Sequence, residues 1–471
     1  MLATSAATHG VMSMALSRRD FLVRTGAAGL TLGIAGSVET LFTAIPAAGA
    51  RGPSQGYGPL LPDPRGILDL PEGFSYRILS REGQPMKSGG GLVPSRHDGM
   101  GSFASAQRTH LVRNHEASPT APIKVPTAGL ATTYDPAAAG GTTTLVLSSS
   151  LRTQEEYVSL GGTAINCSGG ITPWRTWLTC EETEDKAGAN GYTKDHGWIF
   201  EVDPYDNTRN VNPFPLKDMG RFMHEAVAVD PDTGILYETE DAFSGAPLGS
   251  YYRFLPNQPA GGYGSLRAGG TLQALHVPDL EDLSTVQDVG TTFGGIEWFD
   301  VPDPHATTTP TRAQEYPKPI THGQKLEGAW WGKADNSTYF VSSFARLEDG
   351  SAETHDGQVW RYDPRANTLT LELIFTGTDA ADDTYEKPDN MCVSPYGGLM
   401  ICEDSSGENY MIGTTAAGEP FVFARNRQVT TPGETGEFAG VSFSPDAQIM
   451  FFNVYDPGTT FAVTGPWRRQ K

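Results

Sequence analysis

Acidic side chains in this sequence gather where strand-like runs end, and one such group includes a thiol. Cys180, Glu181 and Glu182 are consecutive. Carboxylate oxygens in number suit Ca²⁺ or Mg²⁺, whereas a thiolate among carboxylates suits a softer transition metal. A mixed site of this kind can activate water and neutralise an anionic substrate, as phosphoryl transfer requires. Similar groups occur elsewhere in the chain: Asn114-His115-Glu116, His224-Glu225, Glu238 to Asp241 and Glu403-Asp404.

These groups share one register within an internal repeat. Four segments consist of an apolar strand, a Pro-containing turn and a second apolar strand, with their prolines at positions 173, 231, 395 and 445. The residues nine positions after these prolines are Glu182, Glu240, Asp404 and Val454. Acids precede two of the prolines by six positions and a third by eight: Glu225, Asp389 and Glu437. Two weaker copies place Glu116 and Glu327 at matching positions.

The repeat predicts where these acids lie in space. The start of the first strand and the end of the second strand of an antiparallel hairpin lie at the same end, opposite the turn. Repeated meanders of this size predict an all-β fold, a six-bladed β-propeller, with the acids of all blades on one rim. The turn anchors at 231 and 333 are 102 residues apart, which leaves open one blade with an insertion or an additional blade.

The composition excludes several other classes of protein. The 471 residues include 55 Gly and 34 Pro, and only 38% are hydrophobic, which is typical of a turn-rich globular protein rather than a bundle of membrane-spanning helices. The net charge of −21 argues against nucleic-acid binding, because that function needs a basic face. We therefore expect a monomer that binds cations and a small molecule and has no stable membrane anchor.

The first fifty residues predict an export signal. The sequence SRRDFL at 17–22 precedes an apolar, small-residue stretch at 23–38, and AGA at 48–50 offers a cleavage site. This order resembles a twin-arginine signal, which exports folded proteins. We expect the twin-arginine machinery to export the chain, residues 1–50 to be removed, and residues 51–471 to form one propeller domain that is secreted or periplasmic.

The four cysteines leave their pairing open. Cys392 and Cys402 flank a predicted hairpin turn, and they are either bridged, as an oxidising compartment allows, or two buried thiols. Cys180 differs from them because two glutamates follow it directly.

Several motifs together resemble the PhoX family of secreted alkaline phosphatases. They are NHE at 114–116, NCSGGITPWRTWLTCEE at 166–182, GRFMHEAVAVDP at 220–231, KPDNMCVSP at 387–395 and EFAGVSFSPD at 437–446. The resemblance implies a six-bladed propeller with an iron and calcium cluster, Fe³⁺ and Ca²⁺, over the central channel. It also implies hydrolysis of small phosphomonoesters at alkaline pH. The chain is shorter than the long members of the family.

The resemblance also implies roles for individual residues. Cys180 would be an iron ligand, and the iron and calcium shells would be completed by acids among Glu116, Glu181, Glu182, Glu225, Glu240, Glu327 and Asp404. Lys325 and Asn166 would act on the substrate. Many family members have an arginine where this chain has Lys325, which keeps the positive charge but lacks the planar two-pronged fit to phosphate oxygens.

Two other functions are compatible with the residues. One is another metal-dependent propeller hydrolase of the phosphodiesterase or lactonase type, because metal-centred propellers carry several chemistries. The other is a non-catalytic binding propeller that metal ions stabilise.

Overall fold

Runs rich in Val, Thr, Phe and Tyr alternate with Gly- and Pro-containing turns along this chain, and this pattern folds into antiparallel strands. The computed structural model describes residues 56–242, 247–259, 261–343, 355–375 and 386–469. The predicted export signal at 1–50 lies outside these residues. No α-helix occurs in the described ranges, and the six short 3₁₀ helices span Ala189–Gly191, Asn207–Asn210, Lys217–Met219, Ser265–Ala268, Leu283–Thr285 and Thr311–Ala313.

The strands form six sheets arranged as blades. Three strands precede the first blade: β1 (Leu60–Leu61), β2 (Leu68–Pro71) and β3 (Ser75–Arg81). Blade 1 contains β4 (His97–Ser105), β5 (Arg108–His115), β6 (Gly140–Ser148) and β7 (Thr153–Thr163). Blade 2 contains β8 (Asn166–Ile171), β9 (Trp177–Glu181) and β10 (Ile199–Val202).

Blade 3 contains β11 (His224–Val229), β12 (Leu236–Glu240), β13 (Gly249–Pro256), β14 (Gly270–His276) and β16 (Glu297–Asp300). Strand β17 (His322–Gly323) also pairs with β13. Blade 4 contains β18 (Leu326–Gly332), β19 (Ser337–Ser342), β20 (Gly357–Asp363) and β21 (Thr368–Phe375), extended by β15 (Thr292–Gly294). The 102-residue spacing is therefore an insertion whose strands extend blades 3 and 4.

Blade 5 contains β22 (Pro388–Val393), β23 (Leu399–Glu403), β24 (Tyr410–Thr414) and β25 (Pro420–Asn426), and β2 and β1 continue its outer edge. A small hairpin follows, formed by β26 (Val429–Thr431) and β27 (Glu434–Thr435). Blade 6 contains β28 (Phe438–Phe443), β29 (Met450–Val454) and β30 (Thr459–Thr464). Its fourth strand is the N-terminal β3, which pairs with β30 and places Tyr76 opposite Val463.

The innermost strands of the six blades close a ring. Strands β4, β8, β11, β18, β22 and β28 contact one another in this order, and β28 returns to β4. This arrangement confirms the predicted six-bladed β-propeller. Because β3 and β30 are far apart in sequence, their pairing as the outer strands of blade 6 closes the ring by joining N-terminal and C-terminal segments of the described chain.

The hydrophobic core lies between neighbouring blades. Between blades 3 and 4, Tyr251 stacks on Phe340 with ring centroids 4.1 Å apart, and Tyr237 and Trp360 are also fully buried. Each such aromatic ring contributes roughly 1.5 to 3 kcal/mol through removal of apolar surface from water. All four cysteines are free and buried, so Cys392 and Cys402 are two thiols packed in the core.

Every inner strand carries a register irregularity at the same place, near its start. The interruptions fall between His97 and Met100, Asn166 and Gly169, His224 and Val227, Leu326 and Ala329, Pro388 and Met391, and Ala439 and Ser442. A β-bulge bends its strand and re-aims a side chain. Sixfold repetition of the bulge turns the side chains at the starts of the inner strands toward the centre of the ring.

None of the helices in the described residues has the length and apolar character of a membrane span.

Candidate metal centre and active site

One hydrogen bond recurs at the same end of all six blades. The amide that follows each second strand donates to the carbonyl oxygen just before the inner strand, at distances between 2.9 and 3.2 Å. The donor and acceptor pairs are Glu116 and Arg96, Glu182 and Ile165, Asp241 and Met223, Ser343 and Lys325, Asp404 and Lys387, and Tyr455 and Glu437. The bond fixes the end of the second strand beside the start of the first, so acids from both strands meet at one rim.

Nine carboxylates converge there, and we call them the central acid cluster. They are Asp98, Glu116, Glu182, Glu225, Asp241, Glu327, Asp389, Asp404 and Glu437. The carboxyls of Glu182 and Asp241 contact each other, as do those of Glu437 and Asp404. The charges of the other members act on Glu225 across the ring, which shows that blades 1, 3 and 5 contribute to one site.

Burial and repulsion between neighbouring carboxylates raise the pKa values of Asp389, Glu225 and Glu327. Burial, followed by the charge of Asp404, raises the pKa of Asp389 to about 7, although Lys325 opposes the shift. Burial, followed by the charge of Asp389 for Glu225 and of Asp241 for Glu327, holds the pKa values of these two glutamates well above the ordinary range. The carboxyl groups of such a cluster are all ionised only when bound cations offset the repulsion between them.

The arrangement of donor atoms fits two neighbouring cations. The ligand atoms of Cys167, Glu182 and Glu225 all lie within 4.8 Å of one another, and so do those of Glu225, Glu327 and Asp389. The first group combines a thiol with carboxylates and suits a transition metal, whereas the second offers oxygen alone and suits a hard cation. Oδ1 of Asp241, close to both groups, is buried without a hydrogen-bond partner among the described residues.

Side chains from neighbouring blades hold the strands that carry these ligands. Asn114 of blade 1 donates from Nδ2 to the carbonyl oxygens of Cys167 at 3.1 Å and Ser168 at 2.7 Å on blade 2. Thr239 of blade 3 donates to the carbonyl oxygen of Glu327 on blade 4 at 2.7 Å. Because the donors are buried, these bonds fix the spacing between adjacent inner strands.

A further amide holds one ligand directly. Nδ2 of Asn390 donates to Oε1 of Glu225 at 3.2 Å, while its Oδ1 accepts from the amide of Gly440 at 2.7 Å. Asn390 thus orients the carboxylate that the two ligand groups share, and it ties that carboxylate to blade 6.

Lys325 is a basic residue among these acids. Its Nζ lies 2.9 Å from Oε1 of Glu327 and 3.8 Å from Oδ2 of Asp241. Burial alone would lower the pKa of Lys325, but the carboxylates of Glu327 and Asp241 outweigh burial and raise it. The side chain is 17% exposed, so a permanent positive charge reaches the opening of the cluster.

The structure brings six of the predicted site residues together: Glu116, Glu182, Glu225, Glu327, Asp404 and Lys325. It places the other four in different surroundings. Cys180 is fully buried in the apolar cluster between blades 2 and 3, beside Leu178 and Ile199. Asn166 is buried within blade 2, where it donates to Oγ1 of Thr179 at 3.0 Å.

Glu181 and Glu240 bind protein groups instead. Glu181 accepts hydrogen bonds from the amides of Gly197 at 2.9 Å and Trp198 at 3.0 Å, and it contacts Nδ1 of His196 at 2.6 Å. Glu240 pairs with Nη1 of Arg312 at 2.8 Å and accepts from the Tyr252 hydroxyl at 2.8 Å. Period-two alternation explains this, since Glu181 and Glu240 each precede the rim residue by one position and point away from it.

Sequence reasoning did not identify Cys167 as a site residue, left Asp98 open between a surface residue and a ligand, and included Asp241 only within the acidic run at 238–241. Cys167 precedes Pro173 by six positions, the same offset that identified Glu225 and Asp389, so its signal was present. The length of the turn in blade 3 explains why counting from the proline did not select Asp241. The turn of blade 3 closes between Asp230 and Ile235, whereas that of blade 2 closes between Thr172 and Thr176. The extra residue moves the rim position from Glu240 to Asp241.

Comparisons with known proteins identify a matching family and solved structures of similar fold. A model of the family described as alkaline phosphatase PhoX matches residues 55–154 and 146–458. The structure of Pseudomonas fluorescens PhoX in complex with vanadate, a transition state analogue, aligns with a TM-score of 0.61. The two chains are 17% identical, and the alignment covers 85% of this chain and 96% of that one.

Two further structures align with lower TM-scores. A gluconolactonase from Xanthomonas campestris gives 0.40 at 12% identity, covering 88% of this chain and 99% of its own. The pyranose dehydrogenase PQQ domain from Coprinopsis cinerea gives 0.41 at 11% identity, covering 86% and 98%. A comparison with curated proteins finds no match.

Proposed function

This chain belongs to the alkaline phosphatase PhoX family, whose members are phosphoric monoester hydrolases, and we propose that its central acid cluster is the metal centre at which phosphomonoesters are hydrolysed. The observation that supports the proposal is the convergence of nine carboxylates and the Cys167 thiol on one rim beside Lys325. A propeller gains no packing energy from such a ring, because buried like charges repel one another.

The donor atoms suggest which metal each group holds. Cys167, Glu182 and Glu225 would hold Fe³⁺, since their set includes a thiol. Glu225, Glu327 and Asp389 would hold Ca²⁺, and the remaining carboxylates would complete the calcium shells. In this proposal Cys167 takes the role that the sequence had suggested for Cys180. Bound cations would supply positive charge for the phosphoryl oxygens and lower the pKa of water.

The chain's own residues would hold the substrate and keep the carboxylates in place. Lys325 would attract the phosphate at the opening and stabilise the negative charge that develops in the transition state. Glu327 and Asp241 orient its ammonium group by ion pairing. Tyr455 contacts the carboxyl of Glu116 and would fix its direction. Asn114 and Asn390 would hold the ligand strands, so the cluster needs little rearrangement on binding.

The proposal includes the route to the compartment where the enzyme works. We propose that the twin-arginine machinery exports the folded chain, and that residues 51–471 act outside the cytoplasm as a monomer. The apparent signal and the cleavage site at 48–50 support this part of the proposal.

The experiment that tests the proposed activity combines an assay with a metal analysis. Protein purified without chelator is assayed with p-nitrophenyl phosphate between pH 7 and 10, and its iron and calcium are measured by mass spectrometry. We expect hydrolysis that EDTA abolishes and that iron and calcium together restore. Hydrolysis that survives complete removal of metal would contradict the proposed centre, and a metal-loaded protein without activity on any monoester would contradict the proposed reaction.

A further inference from the structure

The residue just before each inner strand occupies an equivalent place at the mouth of the propeller. These six rim residues are Arg96, Ile165, Met223, Lys325, Lys387 and Glu437. Each is half-buried, although the residue that follows it is fully buried. Their carbonyl oxygens all accept the recurring hydrogen bond from the end of the second strand. The rim residues therefore encircle the central acid cluster at the end of the propeller where the acids meet, and we take this end as the mouth through which a substrate would enter.

Two of the three basic rim residues, Arg96 and Lys325, lie on opposite sides of this ring. Arg96 belongs to blade 1 and Lys325 to blade 4, and two blades lie between them in either direction around the closed ring. Both have left-handed backbone conformations, with φ of 57° for Arg96 and 40° for Lys325. Non-glycine residues rarely adopt this conformation, and they do so where the surrounding structure imposes it. Ile165 and Lys387 share this conformation, so the bend before the inner strand recurs at four of the six rim positions and places Arg96 and Lys325 at equivalent points of the ring.

An ion pair positions the guanidinium of Arg96 but engages only one of its nitrogens. Its Nη1 pairs with Oδ2 of Asp456 at 3.0 Å, and its plane lies 4.8 Å from the ring centroid of Tyr455. Tyr455 in turn contacts the carboxyl of Glu116 in the central acid cluster. Nε and Nη2 make no hydrogen bond to the described residues. The side chain is 31% exposed, so these donors are available at the opening.

We propose that Arg96 is a second phosphate-binding residue, which contacts the phosphoryl group of the substrate from the side of the mouth opposite Lys325. The inference rests on the proposed function and extends it. A lysine ammonium provides a point charge, whereas guanidinium presents two parallel N–H donors that match two phosphate oxygens. Arg96 thus supplies the planar, two-pronged contact that Lys325 cannot make.

A role limited to the ion pair with Asp456 is the competing explanation. That pair is partly exposed, with side chains 31% and 44% accessible, and exposed pairs contribute little to stability. The two explanations differ in what happens when Asp456 is changed. Asp456→Asn removes the ion pair and leaves the guanidinium in place. If Arg96 served the pair alone, Arg96→Met and Asp456→Asn would have equal effects.

The test measures binding of inorganic phosphate to metal-loaded protein by titration calorimetry, with metal content determined for every variant. We expect Arg96→Met to weaken phosphate binding about tenfold, since one charge–phosphate contact is lost. Arg96→Lys should recover part of the loss, and Asp456→Asn should stay within about twofold of the parent by the same reasoning. The matched control is Arg108→Met, which removes an exposed arginine from the opposite end of the same blade.

Three outcomes would overturn the proposal. They are Arg96→Met binding phosphate as the parent does, Asp456→Asn weakening binding as much as Arg96→Met, and a metal-loaded parent that binds no phosphate. Because binding is measured without turnover, failure of the proposed function is recognised separately. A parent that binds phosphate through Arg96 but hydrolyses no monoester would contradict the reaction and leave this assignment intact.

Discussion

The Sγ atom of Cys167 lies 3.1 Å from the carbonyl oxygen of His224, the residue directly before Glu225. The thiol of blade 2 therefore touches the inner strand of blade 3 where that strand delivers the carboxylate shared by both ligand groups. Cys180, on the second strand of blade 2, shares an apolar cluster with Cys167, but only the Cys167 sulfur comes together with the carboxylates of Glu182 and Glu225. Two cysteines of one hairpin thus have different surroundings, and their substitutions should have different effects.

Substitution of the two cysteines separates metal binding from packing. We expect Cys167→Ala to lose the transition metal and reduce kcat/KM for a phosphomonoester at least about a hundredfold, as loss of a central electrostatic group does. Cys180→Ala should keep the metal and lower the free energy of unfolding by about 1 kcal/mol, because it leaves a small cavity. Metal analysis and denaturant unfolding check both statements. Full iron occupancy in Cys167→Ala would show that the thiol is not a ligand.

Lys325 is expected to act on the anionic substrate rather than on the fold. Lys325→Ala should lower kcat/KM for a phosphomonoester at least about tenfold at unchanged metal content, because a donor to the developing charge is lost. Lys325→Arg should be tolerated, since it keeps the charge. Lys333→Ala, an exposed lysine at the other end of the same hairpin, is the control. If kcat/KM of Lys325→Ala were within twofold of that of Lys333→Ala, Lys325 would have no role in acting on the substrate.

Removal of metal should reverse the dependence of stability on pH. Because burial raises the pKa of Asp389 from 3.8 to about 7 in the metal-free fold, the folded state holds more protons than the unfolded state between these values. Stability is then greatest at low pH and falls as pH rises through 7. We expect the melting temperature of chelated protein to drop between pH 5 and pH 9, and that of the metal-loaded protein to stay nearly level. A chelated protein that gains stability over this range would contradict the raised pKa values.

Export is predicted to depend on the arginine pair at 18 and 19. Changing Arg18 and Arg19 together to lysine should block export, because the twin-arginine machinery distinguishes arginine from lysine at these positions. The mature chain should begin near Arg51. Fractionation followed by N-terminal sequencing measures both, with the single change Lys124→Arg as a control for expression. Undiminished mature protein outside the cytoplasm would exclude this route.

Much of the fold was predictable from the sequence, because local residue types determine the repeat of strand, turn and strand without reference to distant contacts. Glu225, Glu327 and Asp389 could be placed on the rim by counting from the turn. Counting failed where one extra turn residue shifted the second strand, which exchanged Glu240 for Asp241.

The choice between neighbouring residues depended on the bulges. A hairpin pattern indicates which residues end a strand, but the irregularities in β8 and β11 decide which side chains turn inward. The ion pair of Glu240 with Arg312 joins residues 72 positions apart, and no local pattern reveals it. Long-range partners of this kind determine whether a buried acid pairs with another side chain of the protein or can serve as a metal ligand.

Blade 6 unites the two ends of the chain, and this fixes the order in which the molecule becomes competent during synthesis. Strand β3 leaves the ribosome early but cannot pair until β28 to β30, which are synthesised last, have also left it. Glu437 and Tyr455 arrive with those final strands, so a nascent chain carries an open arc of blades and an incomplete set of ligands. Ring closure therefore comes last, and a product that ends before Glu437 lacks one acid of the central acid cluster and the tyrosine that contacts Glu116.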